Sequence, residues 1–436
     1  MSETIAMRTT TVSLVSGRHG IPVLRALLVS AVAAEAGRRI LTPRAPVAAP
    51  RPVDVHDYFS EPEIARGRAF ARPQRLIGLA RTMTTTALLA GLVRRPPAAL
   101  RRRPPASLGR ARDGSPRETA AAAGALSLAL TVPGLPWRAL ARRRAMSAGL
   151  DTQSWRGWVS DLVKASAIET GFSAALAAGV TALSRRYRAR WWRIAAVGTV
   201  VIGALAGGLA PVLLDPIFND FDPLPEGETR SDVLALAAAA GVEVNEVYAV
   251  DASRRTSAAN AYVTGLGPTK RVVLYDTLLD RYTRDEVRLV VAHELGHMRH
   301  HDVWRGVAYA AILAGPLCWA TQQVAAALAG REPSATVGAA QLPALGLAAA
   351  LVSIPVSPSA AAMSRAMERR ADAFSLRLAG APEAFISFER RASLQNLSDL
   401  QPGRVARALA SHPPAVERIG AALAFEPSAT PAPAGR

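Results

Sequence analysis

From Pro333 to Ser364 the chain carries no charged side chain. A run of that length is far longer than a core strand or an ordinary core helix, and it reads as helix crossing a bilayer. Ile194–Leu214 and Val307–Gly330 are equally free of charge. Thr119–Trp137 is a good candidate, with Pro133 and Pro136 predicting an early break. Leu76–Val93 holds Arg81, and Asp161–Leu183 holds Lys164 and Glu169. Ile21–Ala36, interrupted by Arg25, is the weakest. Arg8, Arg18 and the small residues Ala33 and Ala34 give that stretch some signal-peptide character. A retained helix is the preferred reading, because the segments that follow are themselves spanning candidates. The expectation is a multi-pass α-helical membrane protein of about seven spans.

Composition agrees with that class. Half of the 436 residues are hydrophobic, and the formal net charge is +18. Mean hydropathy is nevertheless positive, at +0.15. Lysine occurs only at Lys164 and Lys270, so almost all the positive charge is arginine, scattered through the inter-segment loops. A GC-rich coding bias and attraction to anionic lipid headgroups account for this. No basic strand interleaved with aromatics is present, so nucleic acid is not an expected partner. The single cysteine, Cys318, excludes an intrachain disulfide and a cysteine metal site. The expected location is a bacterial plasma membrane with the polar blocks on the cytoplasmic side.

Polar sequence interrupts the apolar segments twice. Residues 215–302 carry strand-like pieces at Val247–Val250, Ala261–Thr264 and Arg271–Tyr275, the last two forming a hairpin about Gly265, Gly267 and Pro268. Residues 364–425 read as charged helix, and 426–436 as a Pro/Ala-rich disordered tail. The expected division is therefore an N-terminal region with one weak span (1–75), membrane helices (76–214), a first polar block (215–302), a helical hairpin (303–363), a second polar block (364–425) and the tail.

The run Val290-Val-Ala-His-Glu-Leu-Gly-His297 lies in the first block. Thr283 followed by Glu286 predicts a capping box and a helix from Arg284. On such a helix His293 and His297 share a face, one turn apart. Two imidazoles so placed can hold one zinc ion, and Glu294 can serve as base toward the water it polarises. Gly296 costs a helix ~1 kcal/mol, which implies close packing there. Catalytic zinc takes three protein ligands. Ser364-Arg-Ala-Met-Glu-Arg-Arg-Ala-Asp372 offers Glu368, with Asp372 on the same face to accept from a ligand histidine. The same acids could instead pair with Arg365, Arg369 and Arg370.

Together with Asp215–Gly227, Asn260–Tyr262, Val272–Leu278 and Ser411–Ile419, these motifs resemble the type-1 CAAX prenyl protease family of integral-membrane zinc metalloproteases, gluzincins related to HtpX. The likeness runs in family order through the second half. It implies a small α+β zincin-type domain split by the last helical hairpin, with helices around a chamber. It implies Glu368 as third zinc ligand and Asp372 as its neighbour's support. His412 and Arg418 would contact the substrate backbone or the tetrahedral intermediate, and Asn260, Ala261 and Tyr262 would pair with an extended substrate. His300 and His301 are not expected to be ligands. The loop Arg94–Arg117 has no counterpart known to us.

The resulting expectation is a zinc-dependent membrane endopeptidase acting on peptide or protein substrates. One metal ion bound by both polar blocks requires an even number of crossings between them. A non-catalytic sensor or scaffold on the same fold is the rival. It predicts loss of a ligand or of the base, and neither is lost. A transporter would call for matching broken helices in two repeats, which are absent.

Overall fold

The computed structural model describes residues 20–44, 47–97, 115–265 and 270–426. The stretch before Gly20, most of the loop after Arg94, the hairpin tip and the tail from Pro427 lie outside the described residues.

Helix α1 (Gly20–Leu41) packs along later membrane helices and buries Ala26, Ser30 and Ala34. The chain then leaves the bundle, and α2 (Glu61–Arg94) starts under a Ser60–Glu63 capping box. Helix α3 (Pro116–Thr131) starts under another, Ser115–Glu118. The break expected at Pro133 is only a 3-10 turn, Val132–Gly134, after which α4 (Leu135–Ser147) continues. Helix α5 (Trp155–Tyr187) ends at Arg188, whose φ of 47° lies in the left-handed region. Helix α6 (Trp191–Leu213) follows.

The first polar block opens with β1 (Phe221–Pro223), α7 (Glu228–Ala240) and β2 (Glu246–Val250). Strands β3 (Ala261–Thr264) and β4 (Arg271–Tyr275), α8 (Asp276–Arg281) and α9 (Arg284–Arg299) complete it. The sheet order is β1-β2-β4-β3. β2 pairs parallel with β4 (Tyr248 opposite Val273), and β3 pairs antiparallel with β4 (Tyr262 opposite Val273). That leaves β3 at an edge. Val233, Leu236, Val247, Val272, Leu274, Val291 and Leu295 form one core between the sheet and helices α7 and α9.

Helix α10 (Asp302–Ala329) re-enters the apolar layer, and α11 (Leu342–Ser353) returns. A 3-10 turn at Ile354–Val356, where Pro355 removes an N–H, joins it to α12 (Ser357–Ala379). Helices α13 (Pro382–Gln395), α14 (Arg404–Leu409) and α15 (Ala415–Leu423) close the second polar block. Residues from the N-terminal region complete this block's core: Val55, Phe59 and Ile64 pack on Leu400 and Ile419.

Among the described residues, six segments are long and apolar enough to cross a membrane, and one of them, Trp155–Gly208, holds α5 and most of α6. These two helices run oppositely. Helix α5 leaves the polar block where Asp161 pairs with Arg255, and reaches the far side where Ser184 Oγ accepts from the Val337 N–H. Helix α6 starts on that far side, where Gln322 donates to the Ala189 carbonyl, and returns to Asp215, which accepts from Tyr262. Among the described residues, the six segments therefore hold seven helical passes. A cavity of about 1010 Å³ lies among the helices, and Arg81 and Glu169 line it. Lys164 instead donates to the Ile217 carbonyl at 2.9 Å.

Candidate metal centre

Helix α9 begins at Arg284, where the Thr283 hydroxyl accepts from the Glu286 N–H and the Glu286 carboxylate from the Thr283 N–H. It is amphipathic, and Val287, Val291 and Leu295 fasten it to the sheet. The opposite face carries His293 and His297, with their Nε2 atoms 3.2 Å apart. Helix α12 lies against it. At Gly296 an added Cβ would stand 3.1 Å from Phe374 and 3.4 Å from the Ala371 Cα, so the glycine sets the helix separation.

That closeness delivers Glu368. Its carboxylate oxygens lie 3.4 Å from His293 Nε2 and 3.6 Å from His297 Nε2. One ligand atom from each residue lies within 4.8 Å of the others. Glu368 Oε2 is buried and accepts no hydrogen bond in the fold. Two imidazoles and an otherwise orphaned carboxylate oxygen suit a cation, since a buried polar atom without a partner is costly.

An acid stands behind each histidine ring. Asp372 Oδ1 lies 2.9 Å from His293 Nδ1, and Asp302 Oδ2 lies 2.9 Å from His297 Nδ1. Asp302 is held in turn by Arg370. Asp372 receives Nε and Nη2 of Arg418 at 2.9 and 2.6 Å, while Arg418 Nη1 lies 2.6 Å from buried Glu389. The basic neighbours of Glu368 and Asp372 on α12 turn elsewhere. Arg365 donates to the Ala408 and Ala410 carbonyls, Arg369 pairs with Glu417, and Arg370 pairs with Asp302.

A cavity of about 800 Å³ opens over these groups, lined by His293, Glu294, Glu368, Asn260 and His412 among others. Burial pushes the Glu294 carboxyl above the usual glutamate range, against the pull of the two histidines. His412 is 64% exposed, with Nε2 3.5 Å from Glu368 Oε2. Tyr262 and buried Ala261 lie on edge strand β3, and Tyr262 is tied to Asp215 at 3.1 Å. Arg418 was expected to meet substrate, yet all three of its nitrogens face Asp372 and Glu389. His300 bonds the Gly296 carbonyl and stacks edge-on with Phe374, away from the other two histidines. Sequence reasoning missed Asp302 and Glu389. The signal for Asp302 was its place five residues after His297, at the start of α10; Glu389 gave none beyond an acid on an apolar helix face.

Residues 223–426 match peptidase family M48. The uncharacterized metalloprotease YhfN of Bacillus subtilis is 32% identical over 302 residues, which is 67% of this chain and 70% of that one. The chain belongs to peptidase family M48. A shorter match, 40% identical over 104 residues, is to CAAX prenyl protease 1 of Saccharomyces cerevisiae, covering 24% of this chain and 23% of the yeast protein. The crystal structure of S. mikatae Ste24p shares the fold, with a TM-score of 0.73 at 19% identity over 93% of this chain and 98% of the other. This M48 chain is therefore a multi-pass integral-membrane metalloprotease.

Proposed function

We propose that the chain is a zinc endopeptidase that hydrolyses peptide bonds in extended segments of peptide or protein substrates, with Glu294 as general base. The observation that carries this reading is the convergence of His293, His297 and Glu368 within 4.8 Å, beside Glu294, on a cavity wide enough for a peptide. Zinc held by those three residues supplies Lewis acidity toward water and the scissile carbonyl. Glu294 takes a proton from the attacking water at its carboxylate and passes it to the leaving nitrogen. His412, on the cavity wall, donates to the developing oxyanion from Nε2. Asp372 and Asp302 fix the tautomer of the two ligand histidines, and Arg418 acts through Asp372. A substrate strand adds to the free edge of β3 beside Asn260, Ala261 and Tyr262.

We place the catalytic face in the cytoplasm of a bacterial cell. The yeast relative's name refers to prenylated substrates, but no residue of this chain can be tied to a lipid tail, so the proposed substrate class remains peptide or protein. The test is Glu294→Gln, which keeps shape and removes the base. Cleavage is expected to fall by about 10²- to 10⁴-fold while zinc remains bound. Undiminished cleavage would refute the assignment.

A further inference from the structure

Helix α13 and the residue after it line the catalytic cavity with Phe385, Phe388, Glu389 and Ala392, followed by the polar Ser393 and Asn396. Across from them on α9 stands Leu289, one turn before His293 and also on the cavity wall. Of Leu289, Phe385, Phe388, Ala392 and Glu389, the first four are apolar. The fifth is a carboxylate, only 4% exposed.

The partner that charge has in the fold is Arg418. Arg418 is already neutralised by Asp372, to which it donates twice. Glu389 adds a second carboxylate to the same guanidinium. Its Oε1 stands 2.6 Å from Arg418 Nη1 but out of line for a hydrogen bond, and that oxygen accepts none. Burial pushes the carboxyl up to about 7, with Arg418 pulling the other way. The molecule thus keeps an under-satisfied acceptor on a partly apolar wall of the catalytic cavity, beside the proposed site of hydrolysis.

We propose that Glu389 is the specificity determinant of a substrate side-chain pocket, and that the pocket takes a lysine or arginine flanking the scissile bond. The methylene stem of such a side chain lies along Leu289, Phe385, Phe388 and Ala392. Its terminal N–H groups supply the missing donors to Glu389, and its charge balances the second carboxylate on Arg418. This inference rests on the endopeptidase reading above.

The experiment is a peptide series cleaved by the full-length protein in detergent, with lysine, arginine, norleucine or leucine placed in turn at each position flanking the cleaved bond. Wild type should favour the basic peptides over norleucine at one position by about 10- to 100-fold in kcat/KM, the worth of a hydrogen bond to a charged group. Glu389→Gln should lower that ratio by about an order of magnitude or more, and Glu389→Asp should keep it. Each ratio is taken within one preparation, so partial loss of folded enzyme cancels. An unchanged ratio in Glu389→Gln, or no basic preference in wild type, would overturn the pocket and leave the endopeptidase standing. Failure of wild type to cleave any peptide would overturn the endopeptidase reading, and the pocket with it.

Discussion

His297 is held from behind by Asp302, and Asp302 by Arg370, a chain that starts on α9, passes through the first residue of α10 and ends on α12. The equivalent support for His293 runs through Asp372 to Arg418 on α15. Each ring therefore has an acid behind it, and each acid an arginine from another element. Asp302→Asn removes the charge but little volume. It should weaken zinc binding by about 10- to 100-fold, measured by chelator competition. Unaltered affinity would mean that Asp302 serves only the start of α10. The sequence made the histidine pair legible because His293 and His297 lie one helical turn apart, within a single motif. Glu368 and Asp372 were legible only as a pair on one face, since three arginines stood ready to neutralise them. Where those arginines point is decided by α14, α15 and α10, which no local pattern reports.

Helix α2 shows how the membrane part and the cavity wall are joined. Its exposed start carries Arg68, Arg72 and Arg75, which meet Gln401 and Asp399 in the loop between α13 and α14. That same loop lines the catalytic cavity through Ser398, Asp399 and Leu400. At Gly67 an added Cβ would fall 2.2 Å from the Ser398 carbonyl oxygen, so the helix can approach the loop only as glycine. Gly67→Ala should destabilise by about 1–3 kcal/mol. It should raise KM more than it lowers kcat, because it displaces a wall and leaves the ligands in place. An unchanged thermal midpoint would show that the loop yields freely. None of this was readable beforehand. Hydropathy fixes where helices lie, whereas the docking of residues 50–64 on Leu400 and Ile419 joins positions over 300 apart in sequence.

At the scale of the whole molecule, apolar run length carried most of the architecture. Helices α10 to α12 leave the polar side and come back, so α9 and the end of α12 meet on one face. In a variant with Cys318 replaced by serine, single cysteines at Asp285 and Ser411 should be labelled by an impermeant reagent from one side of the membrane. A cysteine at Ser334, in the far loop between α10 and α11, should be labelled from the other. Labelling of 285 and 411 from opposite sides would separate the ligands by a bilayer and end the account. The central claim is that one metal held by His293, His297 and Glu368 works with Glu294. The most direct test measures metal content and cleavage of an unfolded protein together, in purified wild type and Glu294→Gln, before and after chelation. The account predicts one zinc per chain in both proteins, with cleavage in wild type alone that is lost on chelation and restored by zinc. Cleavage that survives chelation, or that persists in Glu294→Gln, would contradict it.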